Sequence, residues 1–370
     1  MNIPFLSFDY MHGLLRQEAI ETFTRFYDDH YYILGTGVDK FEKEYAAFSQ
    51  TKYCVGVSNG LDALHIALKV LGVGPGDEVI VPSNTYIATA LAVSYTGATP
   101  TFAEPDARTY NLVAQNIEDA ITKHTKAIMP VHLYGQACEM DAIMHLAENH
   151  NLHVVEDNAQ AHCATFNNKI TGSFGHVNAT SFYPGKNLGA LGDAGAITTN
   201  NEGFAEQAKM LRNYGSREKY YNEAIGFNMR LDELQARFLS VKLPYMQQFT
   251  AARQQIAGWY NEALQTTSEV ILPYTAEGAT HVYHLYVIRS NKRDALQAFL
   301  KQKNIGTLIH YPVPPYLQKA YAHLGYRQND YPVAEELAET CLSLPLYPGL
   351  TQQQVEYICD AIKEFYSAKG

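Results

Sequence analysis

No run of apolar residues in this sequence approaches the length of a membrane span, so a transmembrane helix is not expected. Closely spaced cysteine pairs are missing too. The five cysteines, Cys54, Cys138, Cys163, Cys341 and Cys359, are odd in number and scattered. That argues against a disulfide or zinc framework and for reduced thiols in a cytoplasm. Met1-Asn2-Ile3-Pro4 offers neither the basic nor the apolar region of a signal peptide. Basic residues are in short supply: 28 Lys and Arg stand against 38 Asp and Glu, a net charge of −10. Such a balance excludes a nucleic-acid-coating surface but leaves room for a local basic pocket. Repeats and low-complexity tracts are absent. What is present is an ordinary 46% hydrophobic content over 370 residues, a length that predicts two units rather than one core.

From about residue 54 to 200, β-rich runs alternate with helical patterns, the signature of a largely parallel α/β sheet. The runs are 53–57, 78–81, 126–131, 152–155 and 196–199. Leu61, Leu64, Leu68 and Leu71 recur at helical spacing, with Gly72 as a stop. Past Leu231 a long helical pattern runs to about Leu264 and forms a spine toward a smaller α+β unit. There, 281–288 reads as a strand and 294–302 and 355–365 as helices. Val355, Ile358, Ile362 and Phe365 form the apolar stripe of the last one. The expected division is 1–245 for a large α/β unit and 246–370 for the small one.

Lys186 stands in the turn Ser181-Phe182-Tyr183-Pro184-Gly185-Lys186-Asn187, 29 positions after Asp157, which ends the run from Leu152. A lone loop Lys is commonly a solvated charge, and Asp157 read alone is equally a helix cap or surface acid. Gly185, Gly189, Gly192 and Gly195 indicate backbone that bends sharply or approaches something closely. A P-loop fails here, because Thr180 and Asn187 replace the Gly and the Ser or Thr it needs. A Tyr-x-x-x-Lys pair fails as well, since Tyr183 is one residue too close. An amine and a strand-end carboxylate are what a Schiff-base cofactor such as pyridoxal 5'-phosphate (PLP) requires, together with an anion cradle. Ser58-Asn59-Gly60-Leu61-Asp62, a strand-to-helix turn, suits that cradle, although such a turn is often a plain cap.

Taken in order, these segments resemble the sugar aminotransferases of the DegT/DnrJ/EryC1/StrS family, which are fold-type I PLP enzymes. The resemblance runs through 32–35, 41–42, 74–82, 130–136, 156–157, 181–187, 226–236 and 309–312, and so covers essentially the whole chain. It implies a mostly parallel, seven-stranded-type sheet in the large domain. It further implies that Lys186 holds PLP as an imine and then shuttles a proton, while Asp157 keeps the pyridine nitrogen protonated. Gln160 would bond the phenolic oxygen and Tyr86 would stack on the ring. Asn59, the Gly60 and Leu61 amides and the Ser181 hydroxyl would hold the phosphate. Asn228 would reach that phosphate from a second subunit, making a homodimer with shared sites.

On the substrate side the resemblance implies amino transfer from L-glutamate to a nucleotide-linked keto sugar. Tyr183, His310 and Tyr311 match positions near the sugar. Arg217, Lys219 and Arg230 are candidates for its diphosphate, Lys219 first among them, and His162 is a candidate supporting residue. The segments 58–64 and 82–89 resemble members that aminate the third carbon of dTDP-3-keto-6-deoxyhexoses. The expected product is a dTDP-3-amino-3,6-dideoxyhexose for a surface polysaccharide, such as a lipopolysaccharide or S-layer glycan, or for a glycosylated natural product. Alternatives are a C4 nucleotide-sugar or keto-cyclitol aminotransferase of the same family. A sugar dehydratase of this fold would carry His in place of Lys186. No nucleic acid, membrane or metal is expected as a partner.

Overall fold

The computed structural model describes residues 1–367, so the last three residues of the expected 246–370 unit lie outside the described residues. Seven short strands form one layer in the spatial order Thr99–Ala103, Glu78–Pro82, Thr125–Ile128, His153–Val154, Asn178–Ser181, Gly195–Thr199, Tyr53–Val57. Single bridges from Asp157 to Val131 and to Ala179 join the four-stranded part to the three-stranded part. All pairings are parallel except those of Gly195–Thr199, which runs antiparallel to both its neighbours. Val55, Val57, Val79, Val81, Ala127 and Ile197 are fully buried in this layer, consistent with a sheet covered on both faces.

The helix Gly60–Val70 illustrates how local chemistry sets an element. Asn59 caps it, accepting from the Asp62 N–H at 2.9 Å. Gly72, at φ 72°, turns the chain out of it in the left-handed conformation that glycine tolerates. The Leu61, Leu64, Leu68 and Leu71 stripe is only part of what it buries, because Ala63, Ile66 and Ala67 are inaccessible too. The helix is therefore packed on several sides.

The expected spine is two helices, not one. Glu233–Lys242 gives way to a 3-10 turn at Leu243–Tyr245, and Met246–Leu264 follows. Pro244 carries no N–H and cannot continue the first ladder. The strand expected over 281–288 also begins late, at Tyr286. Tyr283 adopts φ 46° and the Val282 N–H donates to Gly135 O at 2.8 Å, so this stretch docks on the large unit. Tyr286–Arg289 then pairs antiparallel with Cys341–Leu344. The helices Arg293–Gln302 and Gln352–Ser367 pack with them. Leu296, Leu300, Ile358 and Ile362 are fully buried there, each contributing about 1.5–3 kcal/mol of apolar burial.

Two further connections matter for the site. The N-terminal segment crosses to the small unit, where the Ile3 N–H donates to Asn304 O at 2.9 Å and Gly306 N–H donates to Ile3 O at 2.8 Å. A β-carbon on Gly306 would stand 2.6 Å from Phe5 N, so only glycine admits this approach. In the other direction, residues 315–334 lie against the large unit. The Tyr331 hydroxyl donates to Phe102 O at 2.9 Å, and the Ala334 N–H donates to Glu104 at 2.9 Å.

Candidate active site

Asp157 leaves the sheet at its carboxyl edge, where open α/β sheets hold ligands. Consecutive residues there face opposite ways. Glu156 is turned away and held by the N–H groups of Gly172, Phe174 and Gly175 at 2.6–2.8 Å and by His132 at 2.8 Å. Asp157 points into a cavity of about 660 Å³. Its Oδ2 accepts from Thr89 Oγ1 at 3.0 Å and its Oδ1 from the Ala159 N–H at 3.1 Å. Burial raises its pKa, opposed by those two bonds and by the positive charge of Lys186. Such a carboxyl gains from any cation placed beside it.

Lys186 enters the same cavity from the loop after Asn178–Ser181. The Lys186 N–H donates to Tyr183 O at 2.8 Å, and Asn187 Nδ2 donates to Val282 O at 3.3 Å, which pins the turn to the small unit. A β-carbon on Gly189 would collide with the Pro184 carbonyl, so the turn can close only around glycine. Desolvation lowers the Lys186 amine to about 8, against the opposing pull of Asp157. The amine is thereby brought toward its nucleophilic, unprotonated form near neutral pH.

The cradle lies on the cavity's other side. Gly60 and Leu61 head the helix Gly60–Val70, where the first N–H groups lack intrahelical acceptors. Ser181 ends a strand directly against them: a β-carbon on Gly60 would stand 2.5 Å from Ser181 Cβ. Asn59 lines the cavity as well, but its side chain is committed locally, capping the helix and donating to Asp62 at 2.9 Å.

Tyr86, the residue before the helix Ile87–Tyr95, faces Tyr311 with ring centroids 5.2 Å apart. Gln160 accepts from the Tyr134 N–H at 2.6 Å and donates to the Tyr311 hydroxyl at 3.1 Å. Its amide has a second N–H for a ligand. His310 shares a hydrogen bond with Ser343 at 2.8 Å, and burial, then Lys186, lower it to about 4, so it is a neutral group. Tyr183 stands exposed at the mouth.

Not every expected residue is here. Arg217 and Lys219 sit on the small hairpin formed by Ser216–Glu218 and Tyr221–Asn222, where Arg217 pairs with Glu223 and Lys219 lies 5.0 Å from the Tyr220 ring. Neither lines the cavity of its own chain, and nor do Asn228 and Arg230. Arg230 instead donates to Asn213 at 3.2 Å. His162 lies behind the cavity, 5.7 Å from Phe182, pushed down to about 3 by burial and then by Lys186. The sequence reading missed Thr89, Arg253, Phe5 and Leu6, all of which line the cavity. Thr89 is one helical turn from Tyr86, a usable signal. Arg253 offered none. It is buried without a carboxylate partner among the described residues, donating to the carbonyls of Tyr283 and Leu346 at 3.1 and 3.2 Å.

The DegT/DnrJ/EryC1/StrS aminotransferase family model matches residues 14–363. This chain belongs to that family. It is 47% identical over 98% of its length, and 99% of the relative's, to a dTDP-3-amino-3,6-dideoxy-alpha-D-galactopyranose transaminase of Aneurinibacillus thermoaerophilus. It is 40% identical, over 90% of its length and 91% of the relative's, to a UDP-2-acetamido-2-deoxy-3-oxo-D-glucuronate aminotransferase of Pseudomonas aeruginosa. Its fold superposes on the crystal structure of S. venezuelae DesV in complex with a ketimine intermediate at a TM-score of 0.96, with 45% identity and 98% of both chains covered.

The chain is thus a PLP-dependent aminotransferase of the fold-type I class. The site fits that cofactor on three counts. Asp157 is a buried carboxyl that a pyridinium N–H would partner, the Gly60–Ser181 contact forms a cradle that a β-carbon would fill, and Lys186 is an amine with a lowered pKa. When bound, PLP supplies the electron sink for amino transfer.

Proposed function

We propose that this enzyme transfers an amino group from L-glutamate to the C3 keto carbon of a dTDP-3-keto-6-deoxyhexose. The observation that carries the reading is the pairing of Lys186 and Asp157 across one cavity, roomy enough for a hexose beside the cofactor. With PLP bound, Lys186 would move the proton from the donor's α-carbon to the cofactor, and in the second half from the cofactor to C3 of the sugar. Asp157 holds the proton on the ring nitrogen, with Thr89 and the Ala159 N–H keeping its carboxylate oriented. Gly60, Leu61 and Ser181 bind the phosphate, Gln160 the phenolic oxygen, and Tyr86 stacks on the ring. Tyr183, His310 and Tyr311 orient the sugar.

The segments 58–64 and 82–89, and the dTDP-sugar relative, support a dTDP substrate aminated at C3. The UDP-sugar relative supports a second reading, a UDP-linked 3-keto sugar. Both readings include a homodimer. Ile225 is 94% exposed and Tyr220 84% exposed in the single chain, on the stretch that carries Arg217, Lys219 and Asn228. Burying that face on a second copy would bring Asn228 to the neighbour's phosphate and Arg217 and Lys219 to the neighbour's diphosphate. Five free cysteines fit a reducing cytoplasm, where precursors of surface or natural-product glycans are made. The deciding assay supplies glutamate with dTDP-3-keto-6-deoxyglucose, its galacto epimer, or a UDP-3-keto sugar. Amination of a dTDP sugar is expected, and turnover confined to the UDP sugar would replace this reading with the second.

A further inference from the structure

The N-terminal residues Phe5 and Leu6 belong to the cavity although they are 181 and 180 positions from Lys186 in sequence. The crossing at Ile3 and Gly306 fixes their path. From there, Phe5 lies against His310, with ring centroids 5.8 Å apart. Leu6 Cδ2 comes within 3.5 Å of where a β-carbon would stand on Gly185, the residue before the reactive amine. The two side chains therefore span from the lysine turn to the 310–311 turn of the small unit. Leu308 continues the same apolar surface.

Resting on the dTDP-hexose reading, we propose that Phe5 and Leu6 roof the sugar subsite. There they select an acceptor whose exocyclic carbon is an unsubstituted methyl over one bearing a hydroxyl or a carboxylate.

Charge supports this assignment. The cations lining the cavity, among the described residues, are Lys186 and Arg253. Lys186 is committed to the amine chemistry. Arg253 is buried at the cavity's floor with its Nη1 donating to the carbonyls of Tyr283 and Leu346, and its buried Nε has no partner among the described residues. His310 is neutral and shares its Nδ1 with Ser343. Phe5, Leu6 and Leu308 themselves offer a carboxylate no counter-ion and a hydroxyl only carbon, whereas a methyl group placed against them loses nothing. Apolar walls discriminate weakly against an added hydroxyl and strongly against a charge, so the preference should be graded.

The test runs the reaction in reverse on the holoenzyme. Absorbance changes follow amino transfer from dTDP-3-amino-3,6-dideoxyglucose, its 6-hydroxy counterpart and its 6-carboxylate counterpart, which share one nucleotide. The readout is the ratio of kcat/KM values within each variant, which a partial loss of folded protein does not move. The wild type should favour the 6-deoxy sugar over the 6-hydroxy sugar by about tenfold or more, and over the carboxylate by more still. Leu6→Asn and Phe5→Ser should each bring the first ratio toward one, and Leu6→Lys should raise the carboxylate's relative rate. A wild-type ratio near one overturns the inference, as do ratios unchanged in all three variants. If glutamate converts the cofactor and none of the three amino sugars does, the dTDP-hexose reading fails, and the selection by Phe5 and Leu6 fails with it.

Discussion

Thr89 and Asp157 are 68 positions apart, yet Thr89 Oγ1 donates to Asp157 Oδ2 at 3.0 Å. The hydroxyl holds the carboxyl proposed to meet the ring nitrogen, and it is itself backed by Thr85 Oγ1 at 2.9 Å. Removing it acts on Asp157 twice, by freeing a rotamer and by withdrawing a bond that favours the charged form. A hydrogen bond to a charged group is worth about 1.5–3 kcal/mol. Thr89→Val should therefore slow the glutamate half-reaction by roughly ten- to a hundredfold, with the cofactor still bound. Stopped-flow absorbance measures it, and an unchanged rate would show that Asp157 needs no such support.

The lowered pKa of Lys186 has a direction that can be checked without turnover. In the unfolded chain a lysine keeps its proton well above the value of about 8 that it has here. Between those two values the unfolded state binds the extra proton, so this residue's share of apoprotein stability grows as pH rises and is lost as pH falls through about 8. Labelling the apoprotein with an amine-reactive reagent and quantifying the Lys186 peptide should give a midpoint near 8. A midpoint at the ordinary lysine value would remove the case for a desolvated amine.

Gly60 has no space for a side chain. Gly60→Ala would force its methyl to within 2.5 Å of Ser181 Cβ, and such overpacking costs about 1–3 kcal/mol. The strain would fall on the proposed phosphate cradle. PLP affinity, from titration of the apoprotein, should weaken by roughly five- to a hundredfold. Affinity within twofold of wild type would mean that the phosphate is held elsewhere.

Shared sites make a prediction that individual sites do not. Lys186→Ala and Asn228→Asp chains should each be nearly inactive as homodimers. In a mixed dimer one site would combine the intact lysine of one chain with the intact asparagine of the other. Co-expression with separate tags should then recover about half the wild-type activity per purified mixed dimer, on the site arithmetic of a symmetric pair. Activity no higher than that of the parents would place Asn228 in its own chain's site.

Much of the fold was legible because the hydrophobic runs carry it. Tyr53–Val57, Glu78–Pro82 and Gly195–Thr199 are short segments rich in apolar or β-branched residues, and the sequence reading put strands there. Strand direction was not legible. Nothing in Ala196-Ile197-Thr198-Thr199 distinguishes a parallel strand from the antiparallel one it is, since burial on both faces looks the same either way. The break at Leu243–Tyr245 was readable from Pro244, while the late start at Tyr286 depends on a tertiary contact with Gly135 that no local pattern encodes.

Within the site, residues on quoted turns were the visible ones: Asp157, Lys186, Gly60, Ser181 and Tyr86 line one cavity. Those contributed by distant segments were hidden. Arg253 reads as an unremarkable position of an amphipathic helix, and Phe5 and Leu6 as the frayed start of the chain. Lys219 and Asn228 show the converse case, since their motif was recognisable but their place is outside the cavity of their own chain.

The tyrosines that run from the small unit onto the large one have a mechanical consequence. Tyr331 is bonded to Phe102, Tyr321 shares a hydrogen bond with Ser94 at 3.1 Å, and Tyr316 and Tyr321 are buried in the large unit's core. Swinging the two units apart would tear those rings out of that core. The segment 315–334 is consequently moored to the sheet's own core, so a substitution that empties one of those ring sites would loosen the attachment of a stretch far from Lys186 in sequence.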